Sequence, residues 1–232
     1  MLAGAVGQGL FEVARRLFRV FQLGSATDEV PDICPDRTGS SHGYVAHFPG
    51  FSVLAPDLRA ERQPRAVMSE TAWDALVAMG REIPAGAHAF FMSSVPVLGP
   101  RLSMLERIMH LIPRMQKYED DLRDQWQSHA HRASWERVLR HIDELSRRAH
   151  VTLLSGEIHV AGRGEMRTTR GGLVHQLIAS GVAHPPPPAA YAIGLGLLAA
   201  LGEDPLAGAT LRMRRRSEEH TSELQSPDHL VC

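Results

Sequence analysis

The sequence predicts an α/β layered fold, and three observations predict it. Short apolar runs at Phe51–Ala55, 87–92 and 151–154 have the length and composition of buried strands. The segments between them place apolar residues at helical spacing, the alternation that layered α/β folds show. Polar clusters then follow several of the runs, as at Asp57/Arg59, Ser93/Ser94, Glu157/His159 and Ser180/His184, and in open α/β sheets sites form at the carboxyl ends of strands.

Taken in order, Leu10, Phe11, Ala14, Leu17, Phe18 and Phe21 make the apolar stripe of an amphipathic helix that Gly24 can end. Arg15, Arg16 and Arg19 lie off the stripe, which is expected to pack on a protein core rather than on a membrane. Residues 25–50 are rich in Asp, Pro, Gly and Ser and read as a long loop holding Cys34 and His42, either a lid or a connector. The strand Phe51–Ala55 leads through Asp57 and Arg59 to a helix over 69–81. A second strand over 87–92 leads through the turn Ser93-Ser94-Val95-Pro96 to a helix that Pro100 can start. Residues 121–148 read as largely helical, with Trp135, Val138, Leu139, Ile142 and Leu145 on one stripe, and feed the third strand. After it come the 155–159 segment, a Gly-rich turn, an apolar run over 173–179, an extended stretch at Pro185–Pro188, and an Ala/Leu/Gly helix before Gly202. No internal repeat is visible.

The bulk numbers exclude more than they assign. A length of 232 residues suits one domain with one core. A formal charge of −1 argues against a polyanion-binding surface spread over the molecule, so nucleic acid is not expected as a stable partner. Cys34 and Cys232 form neither a disulfide framework nor a zinc-ligand spacing. The longest apolar stretch, 189–201, falls short of the roughly 20 residues that span a bilayer. No basic leader precedes the first helix, which favours a cytoplasmic location unless the start is truncated. From Arg216 onward the sequence loses apolar period and resembles the in-frame translation of a sequencing-library adapter, so 216–232 reads as a non-native disordered tail. The tail carries one arginine and four acids, which leaves residues 1–215 with a net charge of +2.

Glu157 and His159 carry the strongest chemical signal. They stand two apart after a strand, so in an extended backbone both side chains point to one side, where a carboxylate and a neutral imidazole suit a transition metal. Gly156 beside them permits a tight turn, and the competing reading is a surface turn. Asp57 and Arg59 stand two apart after a strand and could form a catalytic pair in which the carboxylate orients the guanidinium, or the two could simply close a loop. Ser94 lacks a Gly-x-Ser-x-Gly elbow and an identifiable base, which leaves a serine-hydrolase reading weak. His129 and His131 look like a metal pair but have no nearby carboxylate cluster and read as surface histidines, while His175 inside a strand reads as packed. Asp120, Asp121 and Asp124 suit a helix start or a network around a metal site.

The segment Ser155-Gly156-Glu157-Ile158-His159 resembles the late metal-binding segment of the PhoD-like (alkaline phosphatase D) metallophosphatases, where the usual form is Ser-Gly-Asp-Val-His. Asp57-Leu58-Arg59-Ala60-Glu61-Arg62, Ser93-Ser94-Val95-Pro96-Val97-Leu98 and Asp120-Asp121-Leu122-Arg123-Asp124-Gln125-Trp126 resemble the same family, and the resemblance runs from about Gly9 to Leu211. It implies an α-β-β-α sandwich and a metal-dependent hydrolase of small phosphate esters. Two divalent or trivalent ions, with iron, calcium, manganese and zinc not distinguished, would activate water for in-line attack. It also implies metal segments upstream of the first helix that nothing before Leu10 supplies, so residues 1–215 read as the C-terminal part of one domain. The alternative is a catalytically inactive fragment or a binding module on the same scaffold.

Overall fold

Eight strands share one mixed sheet in a computed structural model that describes residues 4–25, 29–99, 125–156, 161–179, 203–206 and 208–215. The strands are β1 (Tyr44–Phe48), β2 (Phe51–Ala55), β3 (His88–Ser93), β4 (His150–Ser155), β5 (Gly162–Arg167), β6 (Leu173–Ile178), β7 (Glu203–Leu206) and β8 (Ala209–Arg215). Their spatial order is β1-β2-β3-β4-β6-β5-β8-β7, with β2, β3, β4 and β6 parallel and the outer strands antiparallel to their neighbours. The class is therefore α/β, with the three strands read from the apolar runs lying side by side at its centre.

Three helices accompany the sheet among the described residues: α1 (Ala5–Gln22), α2 (Glu70–Glu82) and α3 (Arg132–Leu145). Ser69 caps α2, its hydroxyl accepting from Ala72 N at 3.2 Å while it donates to Glu61 at 2.6 Å. The chain advances from β2 to β3 to β4 in one direction across the sheet, and right-handed crossovers then put α2 and α3 on the same face. That face is the core. Trp73, Leu76 and Met79 of α2 and Trp135, Val138, Leu139 and Ile142 of α3 pack with Leu54, Phe91 and Leu153, which are cross-strand neighbours in register.

Among the described residues the opposite face is poorly covered. Phe51, Val53, Phe90 and Leu154 are half-buried there, and Met92 and Leu177 remain 42% and 51% exposed. Parallel strands ordinarily carry cover on both faces, so an apolar, partly bare face on the parallel centre of the sheet is a notable departure.

Several elements differ from expectation. Residues 25–50 are not loop throughout, because β1 forms there and turns back on β2 through Pro49-Gly50, with Gly50 at φ +84° as a type II turn requires. The Gly-rich turn after β4 is the strand β5. Gly164 is needed there because a Cβ would lie 2.8 Å from the Leu98 Cβ. β7 and β8 were not foreseen, and β8 takes in Arg212, Arg214 and Arg215. Helix α1 does end at Gly24, φ +65°, but its stripe faces outward: Leu10 and Phe21 are 67% and 76% exposed while Arg19 is buried. The arginine side of α1 is held inward by Arg15 donating to Gly39 O at 2.8 Å and Arg19 Nε to His42 Nε2 at 3.1 Å. Of the stretch expected to be helical over 121–148, the described part, 125–148, is α-helical from Arg132 to Leu145, after a 3₁₀ turn at His129–His131. The helices expected after Pro100 and before Gly202, the Pro185–Pro188 stretch and the 216–232 tail lie outside the described residues.

Where α2 and α3 meet, Gly80 admits the ring of His141, whose Cε1 would sit 2.9 Å from a Cβ at that position. Burial pushes the His141 pKa down from 6.5 to about 4, and its Nε2 has no hydrogen-bond partner. A histidine held neutral makes the unfolded chain the better proton acceptor between these two values. Stability is expected to be full above about pH 6.5 and to fall as pH drops toward 4, by up to about 3 kcal/mol. Urea midpoints at pH 7 and pH 4.5 check this, and His141→Leu should flatten the difference. An equal acid loss in that variant would remove His141 as its source.

Candidate functional site

The carboxyl ends of β2, β3 and β4 lie along one edge of the sheet, with Ser93 paired to Ser155 in register. The chain leaves this edge three times, through Asp57 to Arg59, through 94–99, and through Gly156.

The middle departure is the most firmly held. Trp126 Nε1 donates to Ser93 Oγ at 3.3 Å, and Trp135 Nε1 donates to Val97 O at 2.8 Å. Gln127 Nε2 donates to Pro96 O at 3.0 Å and to Val97 O at 2.8 Å. From the sheet, Gln176 Oε1 accepts from Val97 N at 2.8 Å and Leu98 N at 2.9 Å while its amide donates to Leu98 O at 3.0 Å. Ser93 is buried, and Ser94 is exposed. A fully buried glutamine that completes three backbone hydrogen bonds fixes the loop's path, because each unmet group would cost about 1–3 kcal/mol.

That loop in turn positions Gly156. Gly156 N donates to Ser93 O at 3.2 Å, and a Cβ on residue 156 would lie 2.7 Å from Ser94 O. Glycine is required here for close backbone approach. Gly156→Ala is expected to destabilise the protein by about 1–3 kcal/mol and to displace the segment that follows. Thermal melting together with the affinity for Mn²⁺ measures both, and unchanged values for each would mean the strand end tolerates a methyl group.

Glu157 and His159, the two expected metal ligands, lie outside the described residues, as do Asp120, Asp121, Asp124, Ser180 and His184. Among the described residues no group of three or more His, Cys, Asp or Glu side chains is placed to hold an ion. His129 is exposed as expected. His131, read as a surface residue, is buried at the start of α3 because the 3₁₀ turn folds it inward. His175, read as packed, is half-buried on the poorly covered face beside Arg163 at 3.0 Å.

Asp57 is well placed but heavily engaged. Its Oδ1 accepts from Arg59 N at 2.9 Å and Ala60 N at 3.0 Å, and its Oδ2 accepts from His42 N at 2.9 Å. The carboxylate therefore ties three backbone donors and sets the path of the chain at Arg59, whose side chain is exposed. His42 was placed by sequence only in a loop, and no local signal marked it. Burial lowers its pKa most, Arg19 and Arg15 add to that, and Asp57 opposes them. An arginine Nε can only donate, so His42 Nε2 accepts and the ring proton sits on Nδ1, 3.9 Å from Asp57 Oδ2. Buried Cys34 is close by, its thiol pushed up to about 11 by burial, and so is not a nucleophile at neutral pH.

No curated protein and no solved structure matches the chain. A family model does match, across a stretch that takes in Asp57 to Arg62 and Ser93 to Leu98 and stops before Gly156. Over residues 26–119 the chain matches the family described as PhoD related phosphatase, in agreement with the PhoD-like resemblance of its motifs.

Proposed function

We propose that the chain is part of a metal-dependent phosphoric ester hydrolase, with Glu157 and His159 as metal ligands at the carboxyl edge of the sheet. The single observation that carries this reading is the family match, which indicates a phosphatase. Gly156 supports it locally, since a glycine pressed on Ser94 O gives the Glu157-x-His159 segment a fixed point of departure beside the matched 93–98 loop. Bound metal ions, two in this reading, would supply Lewis acidity and an activated water. Arg59 would then hold a phosphate oxygen with its guanidinium fork, and Asp57 would be a positioning residue that sets the backbone beneath it.

The same reading includes an α-β-β-α arrangement with residues 1–215 as part of one such domain. Its support is the bare face of the sheet, where Met92, Leu177 and Phe48 would be covered by a second sheet layer. A small phosphate ester is the substrate class. No described helix is long and apolar enough to cross a membrane.

A second reading, an inactive scaffold, is favoured by one observation. Two donors are fewer than a metal site needs, and among the described residues no group of three or more His, Cys, Asp or Glu side chains is placed to hold an ion. The full chain, loaded in turn with Mn²⁺, Zn²⁺, Ca²⁺ and iron, should hydrolyse p-nitrophenyl phosphate or its bis-ester and lose that activity to a chelator. Metal retention without turnover on either ester would favour the scaffold, and turnover indifferent to chelator would refute the metal reading.

A further inference from the structure

We propose that His42 is a positioning residue for Arg59: the neutral ring, fastened to α1 by Arg19, leaves the Asp57 carboxylate on the backbone of the Arg59 segment, and protonation of the ring draws it off. The role rests on the reading of Arg59 as the residue that holds a phosphate oxygen. A chain of contacts leads there from α1. Arg19 Nε donates to His42 Nε2 at 3.1 Å, with the Phe18 ring centred 5.5 Å from the imidazole. His42 N donates to Asp57 Oδ2 at 2.9 Å, and Asp57 Oδ1 accepts from Arg59 N at 2.9 Å and Ala60 N at 3.0 Å. Gly43 allows this approach just before β1, since a Cβ on it would lie 3.2 Å from Asp57 N and 3.3 Å from Ala55 O. One carboxylate therefore joins the buried ring to the segment that carries Arg59.

The bond from Arg19 occupies the one acceptor that a neutral imidazole has. A second proton would set the ring Nε2–H against the Arg19 Nε–H, two donors facing each other at hydrogen-bond distance. It would also place a positive ring 3.9 Å from Asp57 Oδ2, a separation beyond hydrogen-bond range that a small rotation of either group closes. An ion pair formed there competes for the carboxylate with the donors of Arg59, Ala60 and His42 itself. Burial disfavours the charged ring most; Asp57 and Asp36 favour it, and Arg19 and Arg15 of α1 oppose it. The nearby Cys34 thiol stays neutral throughout, since burial pushes it up to about 11. Protonation, and with it release of the Arg59 segment, therefore falls below pH 6.5.

The test follows the full chain by NMR from about pH 8 to about pH 5, the range in which histidine changes charge. The backbone amide shifts of Arg59 and Ala60 are expected to titrate with the His42 ring, at a common midpoint below pH 6.5. His42→Gln should lose that step, because its amide oxygen accepts from Arg19 but takes no proton in this range. In the Mn²⁺-loaded chain, kcat/KM for p-nitrophenyl phosphate should fall about tenfold through the same midpoint, and in His42→Gln this fall should be absent. Arg59 and Ala60 amides that ignore the His42 titration would overturn the proposal, and so would an acid step in kcat/KM that survives at the same midpoint in His42→Gln. The first measurement uses the unaltered chain, so a poorly folded variant does not decide the outcome. Coupled amide shifts in a chain that turns over no ester with any metal would refute the hydrolase reading and leave His42 as the residue that sets the 57–60 segment.

Discussion

His159→Ala is expected to abolish metal-dependent phosphoester hydrolysis, by at least about 100-fold, with the fold intact. Second-shell partners of metal ligands already cost about 10- to 100-fold when removed, and a ligand itself should cost no less. The substitution follows β4 in the sequence, and circular dichroism and melting temperature are expected hardly to move. Metal content measured on the same sample should fall in step with activity. Activity that survives the substitution would take His159 out of the site whatever the family, and activity lost together with the fold would make the variant uninformative about ligation. Glu157→Asp provides the control for that case: it restores the acid usual in the family, one methylene shorter, and should keep or improve metal retention.

Trp135→Ala is the second large effect, and its readout is stability. The indole is 1% exposed, packs in the main core, and donates to Val97 O at 2.8 Å, so truncation combines a large cavity with loss of a clamp on the 94–99 loop. Such a change costs about 3–5 kcal/mol, a large share of the 5–15 kcal/mol that typically holds a domain together. In a chain of this length that corresponds to a fall of about 10 °C in melting temperature. Val97 O keeps its bond from Gln127, so no buried carbonyl is orphaned. Trp135→Phe should therefore recover most of the loss. A Trp135→Ala variant within about 1 kcal/mol of the parent would show that α3 is not what fastens the loop.

The central strands were legible in the sequence because burial on a parallel sheet demands uninterrupted apolar runs. Phe51–Ala55, the run ending at Met92 and the run ending at Leu154 emerge as β2, β3 and β4 with boundaries moved by a residue or so. The helix over 69–81, the C-terminal glycine of α1 and the buried stripe of α3 were legible for the same kind of reason, since each depends on neighbours within a few residues. The matched family was legible from short motifs.

What the tertiary structure alone decided are relations between distant residues. Which side of α1 turns inward depends on Gly39 and His42, more than twenty residues from Arg15 and Arg19, and their hydrogen bonds override the apolar stripe. Gln176 reads as an ordinary polar residue in an apolar strand until the 94–99 loop is brought across it from about eighty residues away. β1 and β5 look like loop or turn because their strand character comes from partners that complete a ladder rather than from local propensity. Gly156 shows both limits at once. The sequence marked it as a place where the chain could turn, but only the approach of Ser94 O showed that no side chain fits there.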